Sequence, residues 1–132
     1  PSGLSAGGYL AQHSLIDQLP ALEEDVSVPD FVSCGAQGHV NRQCFFGPRG
    51  TVTPLHWDPY ENILCQVVGS KYFRLYAPKE AEPMYPRSTD VGLSNNSSLE
   101  PEDILVGEKD GAYQTNYPLF NKAPYLETVL QP

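Results

Sequence analysis

The chain has 132 residues, of which 40% are hydrophobic and 11% aromatic, enough for one modest core but hardly for two domains. Sixteen acidic residues against eight basic ones give a net charge of -8, which disfavours direct nucleic-acid binding and would attract a cationic peptide, although acidity also serves solubility. No apolar run is long enough to cross a bilayer and the first residues lack a signal-peptide pattern, so we expect no membrane association.

The first third of the chain predicts short helices followed by a strand. Apolar residues at helical spacing over 9–24, interrupted by Pro20, predict one or two short helices near the N-terminus. Imperfect alternation over 40–46 predicts a strand that runs into a turn at 47–50.

The middle third carries the densest strand signal, which makes a mostly β fold the expectation. The residues of 51–55 are rich in β-branched types, and the runs 62–68 and 71–76 predict a hairpin that turns at Gly69-Ser70. A helical turn is predicted over 78–84.

The last third begins with a polar stretch, 86–118, almost without periodicity, which predicts a functional loop or a disordered insertion. A final strand is predicted over 125–130. We therefore predict one domain over 1–132, with its core in 9–85 and 118–132 and a long loop at 86–117.

Three cysteines, Cys34, Cys44 and Cys65, cannot all pair within one chain, and their spacing matches no zinc or redox motif. They are most simply small core or loop residues. This usage favours a reducing, intracellular compartment.

The tripeptide His56-Trp57-Asp58 is the candidate for chemistry. On an extended backbone residues i and i+2 project to the same face, so His56 and Asp58 can converge while Trp57 turns away. An imidazole and a carboxylate on one face are two of the three ligands in the 2-His-1-carboxylate triad of non-haem iron. The alternative interpretation is a hydrogen-bonded surface pair on a strand edge.

The surroundings of this tripeptide resemble the JmjC family. The resemblance lies in the run 45–59, FFGPRGTVTPLHWDP, and its continuation through Asn62 to the segment GSKYFRLY at 69–76. The pieces GYLAQH at 8–13 and KAPYL at 122–126 extend it over nearly the whole chain, with 86–118 as the weakest stretch. Within the family, the chain is most similar to small members described as bifunctional peptidases and arginyl hydroxylases, which have also been called histone lysine demethylases.

The resemblance implies a double-stranded β-helix, the cupin-like jelly roll, here a partial JmjC domain incomplete at both ends. It implies that His56 and Asp58 bind Fe(II), and that 2-oxoglutarate is the cosubstrate. Lys71 matches the cation that meets the far carboxylate of the cosubstrate. The other matching residues are the hydroxyl donors Tyr9 and Thr53 and the amide Asn62, near the iron-binding end of the cosubstrate.

The resemblance also implies a third iron ligand, a histidine downstream of the strand that matches 125–132. The remaining histidines, His13 and His39, lie in segments that do not correspond to it. We therefore expect this chain alone to bind iron weakly and to be inactive.

The function implied is a 2-oxoglutarate-dependent dioxygenase that hydroxylates a protein side chain, with arginine favoured, or demethylates histone lysine. The partner would be a protein or peptide, in the nucleus or the cytoplasm. A non-catalytic peptide-binding module of the same fold is the alternative, and a metal-dependent peptidase is a third hypothesis. The residues by themselves leave the substrate protein and the oligomeric state open.

Overall fold

The computed structural model describes residues 8–34, 41–88, 94–101, 104 and 113–132, in two compact units, Pro1–Thr51 and Val52–Pro132. Among these residues the strands are β1 (Leu10–His13), β2 (Cys44–Phe46), β3 (Lys71–Tyr76) and β4 (Tyr125–Leu130), and the α-helices are α1 (Leu15–Gln18) and α2 (Tyr113–Asn116). Short 3-10 helices cover Pro20–Asp25, Asp30–Cys34, Pro78–Glu80, Glu82–Met84 and Phe120–Lys122. No helix in the described ranges is long and apolar enough to span a membrane.

In the first unit, β1 pairs antiparallel with β2, with Leu10 opposite Phe46 and His13 opposite Cys44. The register shifts between these two pairs, where Gln12 has a positive φ of 51°. An irregularity of this kind adds a residue to one strand and bends it.

The helical prediction for 9–24 is confirmed from Leu15 onward. It is wrong for Leu10–His13, which forms strand β1. Helix α1 ends at Gln18, and Pro20 occupies the first turn of the 3-10 helix Pro20–Asp25, where its missing N–H costs little. The backbone of Leu10–His13 instead pairs with β2, a long-range interaction that overrides local periodicity. Of the strand predicted over 40–46, Cys44–Phe46 is a strand, 41–43 is irregular and Val40 lies outside the described residues.

The second unit contains the longest ladder among the described residues, formed by β3 and β4. The two strands pair antiparallel in continuous register from Lys71 opposite Leu130 to Tyr76 opposite Tyr125. Both predicted strands are therefore confirmed. The predicted helical turn is confirmed as the 3-10 helices Pro78–Glu80 and Glu82–Met84.

The predicted hairpin between 62–68 and 71–76 is wrong, since 61–70 is irregular and β3 pairs with β4. Gly69 does make a turn, with a positive φ of 78°. The apolar run before it forms no ladder and leaves Val67 and Val68 exposed. A local strand pattern does not specify the partner strand, and the paired positions here are 49 to 59 residues apart in the chain.

The strand predicted over 51–55 is also wrong for most of its length. Residues 51–54 are irregular, and pairing begins only at Leu55, whose carbonyl accepts from Ser97 N–H at 2.8 Å. His56 then forms an isolated antiparallel bridge with Asn96, and Pro86 forms another with Ser97.

The core of the second unit is centred on Leu99, which is 1% exposed, and Phe120, which is 4% exposed. Partly buried residues pack around them: Leu55, Tyr76, Met84, Tyr85, Ile104 and Tyr117. Within the stretch predicted as a long loop, the segment 94–101 thus contributes the most buried side chain. The pairing among the described strands is antiparallel, as in a jelly roll.

Candidate metal centre

The side chains of His56 and Asp58 converge in the second unit, with His56 Nε2 at 3.8 Å from Asp58 Oδ2. Trp57, between them in sequence, is 57% exposed. Metal ions bind imidazole nitrogen and carboxylate oxygen at about 2.0–2.2 Å, so a single ion placed between these atoms can contact both. The convergence predicted from their spacing is present.

A backbone contact selects the tautomer of His56. The Nδ1 atom lies 2.7 Å from the carbonyl oxygen of Pro54. A carbonyl oxygen can only accept, so Nδ1 carries a hydrogen, and in the neutral ring Nε2 then presents its lone pair. This is the arrangement found at metal-binding histidines, where the second ring nitrogen donates to a carbonyl or carboxylate. When the ring is neutral, its Nε2 lone pair faces the Asp58 carboxylate, so a proton or a metal ion between the two atoms makes their proximity favourable.

The Asp58 carboxylate is oriented by Asn62. The amide Nδ2 of Asn62 donates to Asp58 Oδ2 at 2.7 Å, and this is the same oxygen that faces His56. Asn62 was predicted to lie at the iron-binding end of the cosubstrate. The structure shows it holding the carboxylate of the predicted metal ligand.

Lys71 and Thr53 also come together, although eighteen residues separate them. The Lys71 ammonium donates to the Thr53 hydroxyl at 3.3 Å and lies 5.6 Å from the centroid of the Phe73 ring. Lys71 opens β3 and is half-buried. An ammonium beside a hydroxyl and an aromatic wall is suited to binding a carboxylate.

The fourth predicted cosubstrate residue, Tyr9, belongs to the first unit, where it precedes β1. Its ring lies against Gly47: a Cβ on that glycine would come within 2.7 Å of both Tyr9 Cδ2 and Thr51 Oγ1. Gly47 therefore permits the close approach of this ring. The roles of Tyr9 and of the other predicted site residues remain predictions.

One feature of the centre was missed by sequence reasoning. Asn95 and Ser97 bind the backbone on either side of His56, from a stretch that carries no periodic signal. Within the described ranges, no third histidine, cysteine, aspartate or glutamate joins His56 and Asp58 in a group able to hold a metal ion.

The same residues can be compared with known proteins. Residues 2–132 match the family model described as the cupin-like domain. The chain is 42% identical over 127 residues to lysine-specific demethylase 8 of Danio rerio, covering 95% of this chain and 29% of that protein. It is 36% identical over 134 residues to JmjC domain-containing protein D of Dictyostelium discoideum, covering 93% and 28%. It is 38% identical over 123 residues to lysine-specific demethylase JMJ30 of Arabidopsis thaliana, covering 93% and 27%. The chain spans less than a third of the length of each of these relatives.

Proposed function

This chain belongs to the cupin-like JmjC family, and from that premise we propose that it functions in an Fe(II)- and 2-oxoglutarate-dependent oxygenase that acts on protein side chains. The observation that carries the proposal is the pair of donors at 3.8 Å, His56 Nε2 and Asp58 Oδ2, with the histidine tautomer selected by the Pro54 carbonyl. The proposed fold is the double-stranded β-helix, which the antiparallel pairing of the described strands supports.

In this proposal His56 and Asp58 hold the Fe(II), and the triad is completed by the histidine that the family resemblance implies downstream of β4. The donor set supports the choice of metal, because imidazole with carboxylate and open positions suits non-haem Fe(II). When bound, the iron and 2-oxoglutarate together use dioxygen to convert a substrate C–H bond to C–OH, while the cosubstrate becomes succinate and carbon dioxide.

The protein residues bind and orient the cosubstrate. Lys71 meets the far carboxylate as a compact cation, and Thr53, already within hydrogen-bond distance of that ammonium, shares the carboxylate. Tyr9 supplies a second hydroxyl, and Asn62 keeps the Asp58 carboxylate turned toward His56. Because Lys71 is half-buried beside Phe73, its charge is partly shielded from water, which strengthens its attraction for the carboxylate.

The proposed substrate is a cationic side chain of a protein, arginine for hydroxylation or methylated lysine for demethylation. The net charge of -8 supports a cationic partner through long-range attraction. Two of the relatives are named lysine-specific demethylases, whereas the family likeness seen in the sequence favours arginine hydroxylation. We place the protein in the nucleus or the cytoplasm, which the free thiols of Cys44 and Cys65 support.

Succinate release from 2-oxoglutarate, measured in the full protein with Fe(II) and ascorbate, tests the proposal. We expect His56→Ala to abolish release, since it removes one of two donors. His13→Ala is the matched control, because it removes an imidazole from a segment that does not correspond to an iron ligand of the family. Release that is equal in wild type and His56→Ala would overturn the proposal. Continued peptide binding without any turnover would instead favour the non-catalytic module.

The reaction product distinguishes the two candidate substrates, arginine and methylated lysine. Hydroxylation of arginine adds one oxygen atom to a peptide, whereas hydroxylation of an N-methyl group on lysine releases formaldehyde and restores the amine. Mass spectrometry of an arginine peptide and a methyl-lysine peptide, with formaldehyde detection in parallel, separates the two. If peptide cleavage is observed as well, a chelator tests whether it depends on the same metal.

A further inference from the structure

The segment that carries His56 and Asp58 does not belong to a regular strand, and one residue binds both backbone polar groups of Trp57. The Trp57 N–H donates to the Asn95 carbonyl at 3.0 Å. The Asn95 side chain returns the contact, because its Nδ2 donates to the Trp57 carbonyl at 3.1 Å. Asn95 thus accepts from and donates to the same residue, 38 positions earlier in the chain.

These two contacts are made by the two peptide groups that determine the orientation of the donor side chains, His56 and Asp58. The Trp57 N–H belongs to the peptide that joins it to His56, and the Trp57 carbonyl belongs to the peptide that joins it to Asp58. Rotation of either peptide about its flanking torsions would swing one donor side chain away from the other. The 3.8 Å separation of His56 Nε2 and Asp58 Oδ2 therefore depends on both peptides being held.

We propose that Asn95 is a positioning residue of the metal centre. It keeps the His56 and Asp58 side chains facing each other by binding the backbone of Trp57. The inference rests on the proposed function, since it assigns Asn95 to the same site. Asparagine suits this role because its amide supplies a donor at short reach, whereas alanine supplies none and aspartate would place an acceptor opposite the Trp57 carbonyl.

The contacts around Asn95 make its own position well defined. The Arg87 N–H donates to the Asn96 carbonyl at 2.8 Å, and Arg87 Nε donates to the Ser97 carbonyl at 3.0 Å. The buried Ser97 hydroxyl donates to the Met84 carbonyl at 2.6 Å and accepts from the Leu99 N–H at 2.9 Å. Asn95 therefore extends from an anchored segment, so its amide can fix the tripeptide rather than follow it.

The test measures Co²⁺ binding and the Co²⁺ absorption spectrum in the full protein, for wild type, Asn95→Ala, Asn95→Asp and His56→Ala. Loss of a residue that orients metal ligands costs roughly 10-fold in metal affinity, and we expect this loss in both Asn95 variants with a changed spectrum. Asn96→Ala is the matched control, since it removes the next amide and keeps both contacts of Asn95. Urea unfolding of each metal-free variant confirms that it is folded.

The outcomes separate the inference from the proposed function. If His56→Ala loses Co²⁺ while both Asn95 variants bind it with wild-type affinity and spectrum, Asn95 has no positioning role and the proposed function stands. If His56→Ala binds Co²⁺ as wild type does, the metal centre itself is wrong. If Asn96→Ala weakens binding as much as Asn95→Ala, the effect belongs to the segment as a whole and the assignment to Asn95 fails.

Discussion

The ladder of β3 and β4 and the segment 53–62 lie in the same unit but are stabilised in different ways. The ladder has continuous register along its whole length, so each pair repeats the contact of its neighbours. The segment 53–62 depends on contacts that occur once: the Pro54 carbonyl on His56, Asn62 on Asp58 and Asn95 on Trp57.

This difference predicts where substitutions are costly. In the ladder, loss of one side chain leaves the neighbouring backbone hydrogen bonds in place. In the segment 53–62, each of these contacts is a single hydrogen bond that no neighbouring pair repeats among the described residues. Substitutions in the ladder, in the segment 53–62 and in the core that packs against it should therefore differ in their cost.

The largest effect on stability is expected in the core behind the segment. Leu99→Ala removes a side chain that is 1% exposed, and such truncations cost about 2–5 kcal/mol because they leave a cavity. Leu126→Ala in β4 is the matched control, since Leu126 is 76% exposed and its loss should cost about 0.5 kcal/mol or less. Urea unfolding measures both, and equal costs would remove the contrast between the two regions.

Ser97→Ala should have the next largest effect. The Ser97 hydroxyl bonds both the Met84 carbonyl and the Leu99 N–H, so its removal leaves the buried Leu99 N–H and the partly buried Met84 carbonyl without this partner. The expected cost is about 1–3 kcal/mol in the free energy of unfolding. Thr128→Ala, in the exposed part of β4, is the control, and it is expected to lower the free energy of unfolding by roughly 0.5 kcal/mol. A cost no larger for Ser97 than for Thr128 would contradict the prediction.

Asn62→Ala should lower the metal affinity more than it lowers the free energy of unfolding. Without the Asn62 amide the Asp58 carboxylate is free to turn from His56, and metal affinity should fall roughly 10-fold. The contact is exposed, so the free energy of unfolding should change by about 0.5 kcal/mol or less. Calorimetric titration with Mn²⁺ or Co²⁺, together with urea unfolding, measures the two effects. Unchanged affinity would show that Asn62 does not orient the ligand.

Tyr72→Phe tests a side-chain contact on the ladder. The Tyr72 hydroxyl donates to Glu127 at 2.7 Å and accepts from Arg74 Nε at 3.0 Å, on residues already held by the strands. Because the group is exposed, we expect its loss to cost about 0.5 kcal/mol and to leave metal affinity unchanged. A loss above about 2 kcal/mol would mean that the ladder depends on this contact.

The smallest effect is a dependence of stability on alkaline pH. Burial raises the pKa of Tyr76, whose ring makes tilted contacts with Phe120 and Tyr125, so the folded protein favours its neutral form. The corresponding stability is present below the ordinary tyrosine pKa and is lost as the pH rises through the folded value. Hydrogen bonding to Glu127 raises the pKa of Tyr72 too, so unfolding should be followed from about pH 9 to about pH 11 in Tyr72→Phe, with and without Tyr76→Phe. A decline of equal slope in both would exclude Tyr76 as its source.

Sequence reasoning succeeded where a pattern is carried by adjacent residues. The strands 71–76 and 125–130, the turns after Pro78 and the membership of the JmjC family were all predicted and confirmed. It failed where the partner is remote. The apolar run 62–68 predicts half of a hairpin, yet β3 pairs with β4. The segment Leu10–His13 lies in a stretch predicted as helix, yet it forms β1 and pairs with β2.

For this protein, the sequence by itself identified the family and predicted that His56 and Asp58 converge, and the family resemblance then implied the lysine and threonine of the proposed cosubstrate site. Only the tertiary structure decided that Asn62 binds Asp58, that Leu99 lies at the centre of the core, and that Asn95 binds the backbone of Trp57. The physical reason is the distance along the chain over which each feature is determined. Side-chain alternation is visible within a short window of sequence, whereas a hydrogen bond between positions 57 and 95 depends on how the intervening chain packs.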